Sequence, residues 1–302
     1  MSLKRASAVA ASAVLLGSLA TVPATTAGAS ATAACTMGVG SITSAGNFGN
    51  AAVTASAPPA AKQSTGPHVF TAGITKASST WTSTGSGPEG YAASNGLVIL
   101  NDSMYQATYT TGSPNPPLRL DKVGSGWGNF TMVEQSFWEK APGSGDNFLA
   151  MYGLLGGTGV LHRWAGGPDG VYRHETASGF AAVKAMTLIS ETQTYDTFLA
   201  NTRGGALYTI RIPRTAPLKP IVRPIRTSTW QGFEALVAEK CGSQSTLLTA
   251  IDKDTGSAYL YAVGHTNGTA TVIKGLGKLP GTYKDPVYFL DTAEGNPPLN
   301  GD

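Results

Sequence analysis

The sequence predicts an all-β protein, a five-bladed β-propeller of about 50-residue four-stranded repeats, and three observations predict it. Beyond residue 33 no stretch keeps apolar residues at a helical period for three turns. Short alternating runs such as LVILND, MYQATYT, FTMVEQSFW, NFLAMYG and ALYTIRI follow one another instead, with Gly, Pro, Asn and Asp between them, which is the pattern of strands and turns. Finally, three sets of markers return at one interval. Phe130, Phe180, Phe233 and Tyr283 are spaced by 50, 53 and 50 residues, and Val98, Phe148, Phe198 and Leu247 by 50, 50 and 49. The runs MYQA, LHRW, LYTI and LYAV form the third set, centred on Tyr105, His162, Tyr208 and Tyr261. A four-stranded unit of this length is a propeller blade, a sheet that cannot bury its faces without neighbours.

From the N-terminus, Lys4 and Arg5 precede the apolar run ASAVAASAVLLGSLATVPA and a small-residue tract, so residues 1–33 read as a secretory signal peptide. Cleavage after Ala29, Ala31 or Ala33 fits the small-x-small rule, and the alanine-rich leader suits a bacterial exporter. The run is too short and too weakly apolar to stay as a span, so the protein is not expected to be membrane-embedded. Residues 34–302 are then one domain. In 34–79, SITSAG, AAVTAS and HVFTAGIT supply three strands, and four complete blades follow at about 80–127, 128–178, 179–231 and 232–281. Residues 283–302 hold one more strand, DPVYFLD, which the three N-terminal strands complete into a fifth blade. Closure by both termini leaves no open sheet edge in the ring.

Cys35 and Cys241 are the two cysteines of the chain, and in an exported protein they predict one disulfide that ties down this closure. The alternative, a lipid anchor on Cys35, lacks a leucine in the preceding ATAA. Loss of Lys4 and Arg5 leaves 19 of the 21 basic side chains against 18 acidic ones, a net charge near +1. Without a basic stripe, nucleic acid is not an expected partner. Charged residues are only 13% of the chain and 38 residues are glycine, the balance of an extracellular β protein with many tight turns.

The stretch MYQATYTTGSPNPPLRLDKVGSGWGNFTMV, Met104 to Val133, joins an aromatic strand, a polar Pro/Asn segment and a Gly-x-Gly-Trp-x-x-Phe turn. It resembles one repeat of the tachylectin-like lectins. The resemblance implies a five-bladed propeller that binds N-acetylated amino sugars between adjacent blades and performs no chemistry. It is specific over these thirty residues and fades elsewhere: STWQGF keeps Trp230 and Phe233 without the glycines, and HETASGF keeps only the phenylalanine.

Chemistry points the same way, because sugar C–H faces stack on aromatic rings while hydroxyl and acetamide groups need fixed donors and acceptors. Trp127 with Asn129, and Trp230 with Gln231, place both elements on one turn and are the carbohydrate-binding candidates. Tyr105, Tyr208 and Tyr261 are candidate walls of the clefts. The competing reading makes the two tryptophans packing wedges between sheets. Phe130, Phe180 and Phe233, which open apolar runs, are read as core. The expected partners are glycans or cell-wall polysaccharides that carry N-acetylated sugars.

Other signals are discounted. Asp252–Gly256 has a Ca²⁺-loop look without the later acidic ligand, and reads as a hairpin turn. Gly153–Gly159 has no Walker lysine, and His162 and His174 lack a zinc motif, so no cofactor or metal is expected. Asn101, Asn129 and Asn267 are sequons that matter only in a glycosylating host. The alternatives to a lectin are a propeller glycosidase or polysaccharide lyase with paired carboxylates, and a protein-binding propeller. Glu134, Glu139, Asp169, Glu175 and Glu234 are the available acids, and nothing in the linear sequence pairs any two of them.

Overall fold

The computed structural model describes residues 34–85, 92–111, 118–141, 143–166, 172–293 and 298–302. The leader read at residues 1–33 and Asp169 lie outside these residues. Among the described residues there is no α-helix. The strands are β1 (Thr36–Ile42), β2 (Asn47–Thr54), β3 (Ala60–His68), β4 (Thr75–Ser78), β5 (Trp81–Ser83), β6 (Ala92–Leu100), β7 (Ser103–Thr111), β8 (Leu118–Ser125), β9 (Phe130–Glu139), β10 (Asn147–Leu155) and β11 (Val160–Gly166). They continue as β12 (Tyr172–Ala177), β13 (Val183–Glu191), β14 (Tyr195–Thr202), β15 (Leu207–Pro213), β16 (Ile221–Arg226), β17 (Ala235–Cys241), β18 (Ser245–Asp252), β19 (Ser257–Val263), β20 (Ile273–Lys278) and β21 (Val287–Ala293).

The fold is all-β and propeller-like. Three four-stranded antiparallel meanders run β9 to β12, β13 to β16 and β17 to β20. A mixed nine-stranded sheet has the order β3-β2-β1-β21-β5-β6-β7-β8, with β4 also paired to β6. Within it β21 lies antiparallel to β1, with Val39 opposite Leu290, and a short parallel pairing of Asp291–Ala293 with Trp81–Ser83 joins the two halves. The strands β4, β9, β13, β17 and β21 contact one another in succession, and β21 meets β4.

Strand position follows composition. β14 and β18, second in their sheets, are buried along almost their whole length, as their near-continuous Phe, Leu, Ala and Thr require. The outermost strands β3, β8, β12, β16 and β20 are largely exposed, and carry Lys62, Arg119, Lys122, Arg173, Arg223 and Lys278. Basic residues there, together with Pro224 in β16, discourage pairing of the open edge with another chain. This corrects one expectation: the third N-terminal strand is Ala60–His68, not HVFTAGIT, of which residues 69–74 lie outside any strand. An edge strand with no buried face has no apolar alternation to read.

One hydrogen bond recurs five times, four times where the chain passes to the next sheet and once where it passes from β3 to β4 within the nine-stranded sheet. A turn offers a carbonyl, and the chain entering the next sheet, or β4, donates a backbone N–H to it. Phe70 donates to Gly46, Trp127 to Asp102, Phe180 to Gly159, Trp230 to Gly205 and Tyr283 to Gly256, each at 3.0 Å. The acceptor glycines have positive φ, from 62° at Gly159 to 91° at Gly205, and Asn101 beside Asp102 has φ 51°. The aromatic side chains enter five apolar clusters: two lie between neighbouring meanders, two between a meander and the nine-stranded sheet, and one within the nine-stranded sheet. Cys35 and Cys241 are disulfide-bonded across one such cluster, closing 206 residues of sequence. In the chain-entropy account a loop of that length stabilises by about 5 kcal/mol.

The latch separates two glycines that look alike in sequence. Gly157 (φ 77°) has open space where a Cβ would go, whereas a Cβ on Gly159 (φ 62°) would overlap the backbone of Ala181 in the next sheet. Gly157→Ala should cost about 1 kcal/mol, the αL penalty alone, and Gly159→Ala at least about 3 kcal/mol, strain and overpacking together. Urea unfolding monitored by fluorescence checks this; equal costs would deny the latch its role.

Candidate functional site

The latch decides where the two tryptophans point. Trp127 is 8% exposed and Trp230 is 5% exposed, so both rings are buried, the placement expected of packing wedges between sheets. Their own N–H groups hold the turn against the preceding sheet, which swings each indole into the gap between sheets. Trp127 packs on Phe130 and Trp164 with ring centroids 4.6 and 4.9 Å away. Trp230 packs on Phe233 at 5.5 Å and on Tyr261 at 5.0 Å. Asn129 and Gln231 are exposed, but their backbone carbonyls are engaged, by Gly156 N–H at 2.8 Å and by Lys184 Nζ at 2.5 Å. Tyr261 therefore joins Trp230, whereas half-buried Tyr105 and Tyr208 stack on neither tryptophan. His162 and His174 form a pair, Nδ1 to Nε2 2.9 Å, stacked on Trp164. Asp252–Gly256 is a hairpin turn in which Thr255 N–H donates to Asp252 at 2.8 Å.

What the structure gathers on its axis is a set of carboxylates. The innermost strand of each meander has one edge without a strand partner, and its N–H groups need acceptors. Glu134 on β9 accepts from the N–H groups of Thr80 and Gln135 at 2.9 Å each, and from Thr80 Oγ1 at 3.0 Å. Glu191 on β13 accepts from Phe137 N–H at 3.0 Å, so it caps β9 from the neighbouring sheet. Glu239 on β17 accepts from Lys240 N–H and from Thr292 Oγ1, both at 2.8 Å. Of the acids noted in the sequence, Glu175 instead pairs with buried Arg163, and Glu234 with Lys184.

Beside these bonds opens a cavity of about 630 Å³, walled by the second halves of the innermost strands. Gln135, Asn95 and Gln106 offer amides to it, and Glu139, Glu191 and Glu239 offer carboxyl groups. Phe137, 51% exposed, and Leu149, 39% exposed, give it an apolar rim. The arrangement supplies hydrogen-bond donors and acceptors around an aromatic face, in a space of the size that holds a small ligand. Among the described residues no group of three or more His, Cys, Asp or Glu is placed to hold a metal ion, and no helix is long and apolar enough to cross a membrane.

The residues that sequence reasoning passed over are Gln135, Phe137, Glu191 and Glu239. A signal existed: an acid ends the apolar run in TMVE, LISE, LVAE and YFLD, which are Glu134, Glu191, Glu239 and Asp291. Burial above all pushes Glu134 up from 4.5 to about 7, against the bonds from Thr80 and Gln135. Burial likewise pushes Glu191 to about 8, against the Phe137 bond and with the charges of Asp196 and Glu134 adding to the rise.

Both groups hold their proton more tightly folded than unfolded. Their stabilising protonation is complete below about pH 4.5 and is lost as pH rises through about 7 and 8. Stability should therefore fall between these values by up to about 1.4 kcal/mol per pH unit for each group. Glu134→Gln with Glu191→Gln, which keeps an acceptor for each amide, should flatten the slope of Tm against pH. An equally steep slope in the double variant would sink this assignment.

No protein-family model matches the chain, and no curated protein sequence matches it. Among solved structures it is similar to the SapL1 lectin in complex with alpha methyl fucoside, at 9% identity and TM-score 0.40, over 83% of this chain and 97% of that one. It is also similar to the GH43_1 enzyme from Xanthomonas citri complexed with xylotriose, at 11% identity and TM-score 0.35, over 67% of this chain and 74% of that one.

Proposed function

We propose that the chain is an exported five-bladed propeller that binds carbohydrate carrying N-acetylated sugars and performs no chemistry on it, with the ligand seated on the axis. What supports the blade count is the fivefold recurrence of the bond made by Phe70, Trp127, Phe180, Trp230 and Tyr283. The pairing of β21 with β1, braced by Cys35–Cys241, supports closure by the two ends of the domain. The disulfide also supports an oxidising compartment, in line with the leader read at residues 1–33.

The observation that carries the sugar reading is the 630 Å³ cavity, where half-exposed Phe137 faces amide and carboxyl groups. A pyranose presents an apolar C–H face for the ring and polar groups for Gln135, Asn95 and Gln106. An acetamide adds one donor and one acceptor, the complement of a side-chain amide. The resemblance of Met104–Val133 to a tachylectin-like repeat supports the same ligand class. A second reading, hydrolysis of a glycosidic bond, is favoured by one feature: Glu191, pushed to about 8, holds a proton at neutral pH beside two further carboxyl groups of the cavity.

Titration calorimetry with N-acetylglucosamine and short chitin oligomers tests both readings. Phe137→Ala should weaken binding about tenfold, the value of roughly 1.4 kcal/mol of lost stacking, with the fold intact. Trp127→Ala should lower stability by about 3–5 kcal/mol and leave binding in place below its melting temperature. Binding lost with Trp127 or Trp230 but kept in Phe137→Ala would move the site between the sheets. Cleaved oligomer would favour hydrolysis, and the absence of any amino-sugar binding would end the carbohydrate reading.

A further inference from the structure

The axis has a second opening, built by the first halves of the innermost strands, where three lysines stand against two glutamates, whereas the wider cavity has three glutamates and one lysine, Lys140. A pocket of about 130 Å³ is lined there by Lys76, Lys184 and Lys253, with Glu234 and Glu134 as the acids. Lys184 is bonded to the Glu234 carboxylate and to Gln231 O, so its charge is matched. The other Glu234 oxygen accepts the backbone N–H of Lys253 at 2.7 Å. Among the described residues the Lys253 ammonium makes one bond, to Pro286 O at 2.9 Å, of the three it can donate. Burial lowers its affinity for a proton, opposed by Glu234 and Asp254 and reinforced by the like charge of Lys184. An ammonium in that position is stabilised by an anion, which would relieve both the desolvation and the repulsion.

We propose that this pocket is an oxyanion site that takes a phosphate or sulfate group, held by Lys253 and Lys76 over the Lys184–Glu234 pair. The volume admits one small oxyanion, being a little below the roughly 150 Å³ of a cavity that encloses the larger benzene. Lys76 is exposed and lines the same pocket, so its side chain is free to turn toward an anion there. Glu234 already spends both oxygens on Lys184 and on Lys253 N–H, which leaves the Lys253 ammonium for a ligand. This site is independent of the sugar reading, since it shares none of Gln135, Phe137 or Glu191.

The test is calorimetric titration of inorganic phosphate, inorganic sulfate, glucose 6-phosphate and glucose at one ionic strength set with sodium chloride. Saturable one-to-one binding of phosphate or sulfate is expected, weakened about tenfold by Lys253→Gln and severalfold by Lys76→Gln. Lys76→Gln alters an exposed side chain and keeps the test valid should Lys253→Gln fail to fold. Tighter binding of glucose 6-phosphate than of phosphate, with glucose silent, identifies an oxyanion carried on a sugar; the opposite order identifies the free ion. No saturable binding of either inorganic oxyanion, or binding unchanged in Lys76→Gln and Lys253→Gln, would overturn the proposal.

Discussion

The rest of the structure hangs on a single type of hydrogen bond, the one from a residue entering a sheet to a turn carbonyl of the sheet before it. The turn can present that carbonyl because glycine, or Asn101 in one case, accepts a left-handed backbone. The donor is an aromatic residue, and the bond fixes not only its backbone but the direction of its ring. Four of the five rings then lie in the gaps between two sheets, where the apolar clusters gather around them. Sheets with edges too polar to pair are joined face to face through these gaps, and polar outer strands keep the remaining edges in water.

Placing the aromatics between sheets leaves the axis to polar chemistry. Innermost strands that pair on one side only must find acceptors for the other, and glutamates from the same or the adjacent sheet supply them. Such an arrangement is demanding, since a carboxyl group held away from water gives up its charge more readily than it keeps it. It also gives the axis two unlike ends, glutamates and amides prevailing around the wide cavity and lysines around the narrow one.

Much of this was legible because the same residues that make the period also make the contacts. Phe130, Phe180, Phe233 and Tyr283 stand out in the sequence because each sits at or just after an inter-sheet bond. Phe70 makes the fifth bond of this type and escaped notice, since it precedes Phe130 by 60 residues rather than 50. The extra length lies where the innermost strand is broken into β4 and β5. β3 escaped because a strand exposed on both faces leaves no alternation. The sequence left the direction of the two tryptophans open, because glycine beside them is compatible with a ring facing water and with a ring facing a neighbour. Glu191 and Glu239 were invisible as a site, since the sequence marks them only as the ends of apolar runs in different repeats.

The pairing of β21 with β1 also orders events in time. Val39 and Leu290 are partners across almost the whole domain, so the sheet begun by β1, β2 and β3 cannot acquire its innermost strand until nearly all of the chain is present. Until then β1 keeps an open edge, and any β21 within reach fits it equally well, including that of another molecule. A crowded population of half-finished chains therefore has a productive route to the monomer and a competing one to strand-exchanged pairs, and dilution favours the first.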